Sequence, residues 1–295
     1  MPEPDLLVTK FTIPPLRSVL LHRSHLLMVL DQGCSIHLTL LSAGAGFGKT
    51  TLLSAWARES AGQVAWLSLD DQDNDPLRFW TYLGTALQRL APHVGATLLQ
   101  GLQAPQPPLE ALLATLLNEL LSLREPVTLV LEDYHVIQAP SIHQSLAFLL
   151  EHLPSQMRLV IATRSDPPLP LARLRARGEL SEIRPEALRF TLEEASAFFH
   201  QRGLSLSPEE VAILTERTEG WIAGLQLAAL SLEHQEDVHR FVLAFRGSQA
   251  FVLDYLAEEV LSRQSPRVQE FLLHTSILTS LNGSLANAFS RLRAR

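Results

Sequence analysis

The run Ile36-His37-Leu38-Thr39-Leu40-Leu41-Ser42-Ala43-Gly44-Ala45-Gly46-Phe47-Gly48-Lys49-Thr50 decides the fold. Its apolar opening predicts a strand over Ile36 to Leu41, which enters a loop of small residues without a break. A helix from about Lys49 to Arg58 is predicted to follow. Strand, glycine-rich loop and helix make a phosphate-binding unit: glycines let backbone N–H groups curl around an anion, and the helix N-terminus adds a partial positive charge. Ala43, Gly44, Ala45, Gly46, Phe47, Gly48, Lys49, Thr50 and Thr51 form the candidate cradle for ATP or ADP. Lys49 is expected to reach the β- and γ-phosphates and the Thr50 hydroxyl to ligate Mg²⁺. Alanine stands at the first loop position, where the strict pattern has glycine. The chain has two lysines, Lys10 and Lys49, and one of them falls in this loop.

Working outward, a phosphate loop needs a carboxylate at the end of a neighbouring strand to hold the metal. The buried-strand run Val127 to Leu131 delivers Glu132 and Asp133. By position Glu132 is the metal-side acid and Asp133 the residue that orients water, although strand alternation could reverse them. A further apolar run, Leu159 to Thr163, ends at Arg164, placed to sense a γ-phosphate. Val64 to Leu69 is another predicted strand, followed by an acidic loop, Asp70 to Asp75. Continuous apolar strands alternating with helices indicate an α/β fold with a parallel sheet flanked by helices, that is, a P-loop NTPase. Leu109 to Leu123 reads as a helix with leucines on more than one face, implying deep burial.

Strand signals vanish from Thr191 onward. Thr191 with Glu194, and Ser207-Pro208 with Glu210, are helix-starting patterns ahead of apolar helical periods. The expected division is an arm over 1–30, a nucleotide-binding domain over 31–186, a helical domain over 187–236, and a truncated winged-helix-like domain over 237–295. The arm, with Pro14 and Pro15, is expected to enter a helix near Leu20 and wrap a domain.

Several classes of function are excluded or disfavoured. The chain has 295 residues, 46% of them hydrophobic and 19% charged, as in packed globular proteins. A net charge of −7 argues against DNA contact from this chain. Arg173, Arg175 and Arg177 read as a solvated basic helix face, with a finger reaching a neighbouring subunit as the rarer use. A lone cysteine, Cys34, and no leader or spanning segment point to a cytoplasmic protein without membrane contact. No H-x-x-x-H helix or G-x-S-x-G turn occurs, so a hydrolase triad or a metal beyond Mg²⁺ is unsupported. Three readings remain: an ATP-operated switch that hydrolyses slowly, a P-loop kinase acting on a small molecule, and an interaction remnant that no longer cycles nucleotide.

Blocks spread along the chain carry a resemblance. They are L-L-V-T-K-F-T-I-P-P from Leu6, A-G-A-G-F-G-K-T-T-L from Ala43, W-L-S-L-D-D-Q-D-N-D-P-L-R-F-W from Trp66, and L-V-L-E-D-Y-H-V-I from Leu129. Further along stand A-T-R-S-D-P-P-L-P-L-A-R-L-R-A-R-G-E-L from Ala162, L-R-F-T-L-E-E-A from Leu188, E-G-W-I-A-G-L-Q-L-A-A-L from Glu219 and D-Y-L-A-E-E-V-L from Asp254. In these blocks the chain resembles the MalT-like, LuxR-class large ATP-binding regulators, members of the signal-transduction ATPases with numerous domains. The resemblance implies an α/β nucleotide-binding domain, a helical domain closing over the base, and a winged helix that locks the ADP state. It implies that residues 220–225, among them Trp221 and Gly224, lie near the adenine, with Arg23 near the base or ribose. It further implies self-association in the ATP state. Two departures stand out: Glu132 replaces a frequent aspartate, and the wording is lost over Ala286 to Arg295. The expectation is a fragment without the sensor repeats and helix-turn-helix of such regulators.

Overall fold

The computed structural model describes residues 6–16, 20–31, 36–60, 62–233, 235, 237–245, 255–262 and 265–275. The sheet is built from β1 (Leu38–Ser42), β2 (Gln63–Ser68), β3 (Val127–Glu132), β4 (Met157–Thr163) and β5 (Leu180–Ile183). Its strands are all parallel and run in the order β2-β3-β4-β1-β5. Helices α1 (Ser24–Asp31), α2 (Lys49–Glu59), α3 (Pro76–Gln88), α4 (Ala96–Gly101), α5 (Leu109–Leu121), α6 (Pro140–Glu151) and α7 (Leu171–Ala176) accompany it. A helical region follows: α8 (Pro185–Leu188), α9 (Leu192–Gln201), α10 (Pro208–Thr218), α11 (Ile222–Leu232) and α12 (Val238–Ala244). Beyond it lie a helical segment, Leu256–Leu261, and α13 (Pro266–Thr275).

Alternation along each strand sends side chains to opposite faces of the sheet. In β3, Leu129 and Leu131 join Phe79, Trp80 and Leu116 in one apolar layer, while Val130 joins Trp56, Trp66 and Leu53 in the other. Both faces are thus covered by helices, the condition that makes parallel strands read as unbroken apolar runs. A third apolar cluster, containing Phe190, Phe199, Leu214 and Leu225, forms within the helical region. Capping boxes at Thr191 and Ser207 start α9 and α10 as their sequences require.

The structure shifts some expectations. The first strand begins at Leu38 rather than Ile36 and runs through Ser42, and the second starts and ends one residue earlier than expected. β5 was not anticipated: at four residues, with Ser181 and Glu182 inside, it carries too little apolar pattern to announce an edge strand. Deep burial of Leu109 to Leu123 on several faces is also corrected. In α5 one face, Leu112, Leu113, Leu116, Leu117 and Leu120, is buried, whereas Leu121 is exposed.

The arm does wrap the α/β body. Lys10, on a short turn over Val8–Phe11, is buried and pairs with Asp70 and Asp73 of the acidic loop, while Phe11 meets Tyr82 on α3. Cys34 and residues 276–295 lie outside the described residues, and the expectation about the ending falls among them.

Candidate functional site

Topology brings the chemistry together at the C-terminal ends of the strands. β1 runs into the loop Ala43 to Gly48, which turns into α2 through two glycines with positive φ, Gly46 at 77° and Gly48 at 75°. β4 lies between β1 and β3, so Arg164 at its end stands between the loop and the acidic pair. Lys49, at the first position of α2, folds back so that Nζ donates to the carbonyls of Ala43 (2.6 Å) and Gly44 (2.8 Å). Its burial disfavours the ammonium and lowers the pKa to about 8; the positive charge of Arg164 acts the same way, and Asp133 and Glu132 oppose it.

Glu132 is the last residue of β3 and is only 5% exposed. It accepts a hydrogen bond from the Ser68 hydroxyl at 3.2 Å and lies beside the Thr50 hydroxyl, and Ser68 is itself oriented by the Trp66 indole N–H at 2.9 Å. Burial, reinforced by the neighbouring charge of Asp133, raises the Glu132 pKa. A buried carboxylate beside a hydroxyl at the start of the loop helix is a donor pair of the hard-oxygen kind that suits Mg²⁺. Asp133, by contrast, leaves the strand in a left-handed conformation (φ 57°) and is half exposed, near His135. Glu132 is therefore the acid on the Thr50 side.

The helical region grips the outside of the loop. The Trp221 indole N–H donates to Ala45 O at 3.0 Å, and the Ala223 backbone N–H donates to Gly46 O at 3.0 Å. Contact is close enough that a Cβ on Gly46 would lie 2.5 Å from the Ala223 Cβ, and one on Gly48 2.9 Å from the Ile222 side chain. Beside this grip a cavity of about 460 Å³ opens from Gly46 and Gly48, between α2, the segment entering α1, and the helical region. Its walls are mostly apolar, as in sites that take the flat part of a ligand.

Thr51 and Arg23 line this cavity. The Arg23 guanidinium is engaged, however: Nε donates to Glu194 at 2.8 Å, NH1 to Leu188 O, and NH2 to the carbonyls of Ala187 and Arg189, with Phe190 beneath its plane. Its observed contacts clasp the arm to the helical region. Trp221 touches the loop rather than lining the cavity, and Gly224 packs on Trp221 and Thr218, where a Cβ would meet the indole at 2.8 Å.

The lining residues that sequence reasoning missed include Leu21, Phe190, Phe198, Gln226 and Leu227. They come from segments far apart in sequence, which no local pattern joins. One signal was available: α11 is apolar on two sides, with Leu225, Ala228 and Leu232 in the core and Ala223, Leu227 and Leu230 on the cavity. Arg173, Arg175 and Arg177 each face a carboxylate, of Glu151, Glu182 and Glu179 respectively. Among the described residues no group of three histidine, cysteine or acidic side chains is arranged to hold a metal by itself, and no helix is long and apolar enough to cross a membrane.

Comparison with known proteins agrees with this architecture. The family model described as the MalT winged helix domain matches residues 257–294. Over 267 residues the chain is 38% identical to the HTH-type transcriptional regulator MalT of Klebsiella pneumoniae and 37% identical to that of Cronobacter sakazakii. Each alignment covers 89% of this chain and 30% of the relative, so the chain spans about 30% of the length of these relatives. Among solved structures, a signal transduction ATPase with numerous domains and a tetratricopeptide repeat sensor, from Pyrococcus horikoshii, aligns with a TM-score of 0.55 at 18% identity. That alignment covers 90% of this chain and 36% of that one. The Walker-type ATPase of Pyrococcus abyssi aligns with a TM-score of 0.57 at 16% identity, over 95% and 86% of the two chains.

Proposed function

We propose that this chain, a MalT-like ATPase portion of a signal-transduction ATPase with numerous domains, works as a nucleotide-operated conformational switch in a transcriptional regulator. ATP or ADP binds with its phosphates in the Ala43 to Thr51 cradle and its base in the adjoining apolar cavity. The observation that carries this reading is the grip of the helical region on the loop itself. Because Ala45 O and Gly46 O accept from Trp221 and Ala223, a change in the loop on phosphate binding is felt directly by α11.

In this reading Lys49 leaves the loop carbonyls to meet the β- and γ-phosphates. Thr50 and Glu132 hold Mg²⁺, which when bound offsets the charge of the phosphate oxygens. Asp133 orients water, Arg164 senses the γ-phosphate, and Arg23 positions the arm against the helical region. Residues 31–186 serve as the nucleotide-binding unit, 187–236 as the helical unit and 237–295 as the winged-helix-like unit. The output is self-association in the ATP state, DNA contact being made by other parts of the regulator.

Slow hydrolysis distinguishes the switch from the non-cycling remnant. Phosphate release from ATP by the wild type and by Glu132→Gln tests it. The expected outcome is slow release by the wild type and at least about a hundredfold less by the variant, with ADP affinity kept within a few-fold. Release by both at one rate would remove Glu132 from the reaction, and phosphate appearing on a small-molecule acceptor instead of in solution would favour the kinase.

A further inference from the structure

We propose that Gln226 selects adenine over guanine nucleotides by reading the base edge with its carboxamide. The inference rests on the reading of the apolar cavity as the base site and adds to it the residue that chooses the base.

The argument is one of hydrogen-bonding capacity. Among the described residues, five side chains lining the cavity carry polar groups: His22, Arg23, Thr51, Gln226 and Tyr255. Both ring nitrogens of His22 are engaged, by Ser24 at 2.9 Å and Glu59 at 3.2 Å. The guanidinium of Arg23 is held by Glu194 and three backbone carbonyls. Thr51 lies in the first turn of α2 and Tyr255 packs edge-on against Trp221 with its hydroxyl beside Gly46, so both belong to the phosphate end. The Gln226 carboxamide has no hydrogen-bond partner among the described residues, although the side chain is half-buried in a mostly apolar wall. A half-buried amide with no protein partner is free to pair with a ligand that enters the cavity.

Position agrees with capacity. α11 starts against the loop, where Ala223 bonds Gly46, and runs along the cavity. Gln226 is three residues further on the same face, roughly 4.5 Å along the axis from Ala223 at a helical rise of about 1.5 Å per residue. It therefore faces the part of the cavity beyond the phosphates, where a base lies.

A carboxamide offers one acceptor and one donor side by side. Adenine presents the complement on its N6 amino group and N7, whereas guanine presents two acceptors, O6 and N7, to the same pair. Against guanine the glutamine oxygen confronts another oxygen, so the amide discriminates rather than merely adds contact.

The test is equilibrium binding of ADP and GDP to the folded wild-type chain, Gln226→Leu, Gln226→Ala and Lys49→Ala. The expected result is a wild-type preference for ADP of roughly tenfold or more. It should collapse to near unity in both Gln226 variants, chiefly through weaker ADP binding. A merely structural role would weaken both nucleotides alike and leave their ratio intact, and the alanine variant covers the case in which leucine blocks the cavity. Wild-type selectivity retained in both variants, while Lys49→Ala abolishes binding, would overturn this inference and leave the nucleotide site standing. A folded wild type that binds neither nucleotide would overturn the site and the inference together.

Discussion

Lys49 is held in the loop by two carbonyls, and burial lowers its pKa to about 8. The sign of the resulting pH dependence follows. Anion binding requires the ammonium and stabilises it, so the pKa rises on binding and a proton is taken up wherever the empty site is neutral. Affinity for ADP should hold below pH 8 and fall as pH rises beyond it, by up to about tenfold per unit until the pKa of the complex is reached. Calorimetric titration at pH 7 and pH 9 in buffers of differing ionisation enthalpy checks both the fall and the proton uptake. Unchanged affinity across that interval would mean that Lys49 keeps its charge in the empty site. The lysine itself was legible in the sequence, because loop and helix leave it one place to go. Position in the sequence favoured Glu132 over Asp133 as the metal-side acid, but strand alternation left the reverse open. The choice depends on where β3 ends and on the left-handed turn at Asp133, which leaves Glu132 beside Thr50.

At the scale of elements, two joints stand out among the described residues that link the α/β body to the helical region. One is Arg23, 7% exposed, with its Glu194 partner and the carbonyls around α8. Arg23→Ala leaves Glu194 and those carbonyls without their charged donor and is expected to cost about 3 kcal/mol in chemical denaturation. A loss below about 0.5 kcal/mol would mark the clasp as incidental. The other joint is the seating of α11 on the loop. Gly46→Ala adds a Cβ 2.5 Å from that of Ala223 at a residue with φ 77°. It should unseat α11, speed hydrogen exchange of the Ala223 amide, and weaken ADP binding at the same time. Normal binding with a freely exchanging Ala223 amide would uncouple loop from helix and remove the basis of the switch. The strands announced themselves because both faces of the sheet are covered, which demands unbroken apolar runs. β5 did not, since Leu180–Ile183 is short and carries the paired Glu182. The two-sided apolar character of α11 was visible, but only the folded chain shows that one side faces a cavity.

Across the whole molecule, apolar layers on the two faces of the sheet and a third cluster in the helical region are separate cores. A molecule so divided can change the relation of its parts without repacking any of them, provided that a ligand acts where the parts meet. The candidate nucleotide site lies at that meeting place. Its phosphate end was readable from one contiguous stretch, Ala43 to Thr51. Its base end was not, because Leu21, Phe198 and Gln226 converge only through the tertiary fold. The most direct test of this account is equilibrium binding of ADP and ATP, with Mg²⁺, to the purified chain beside Lys49→Ala. The account predicts saturable binding by the wild type, loss of at least about a hundredfold in the variant, and a rise in the wild type's melting temperature with nucleotide concentration. A folded wild type that binds neither nucleotide, or binds them as well as Lys49→Ala does, would contradict it.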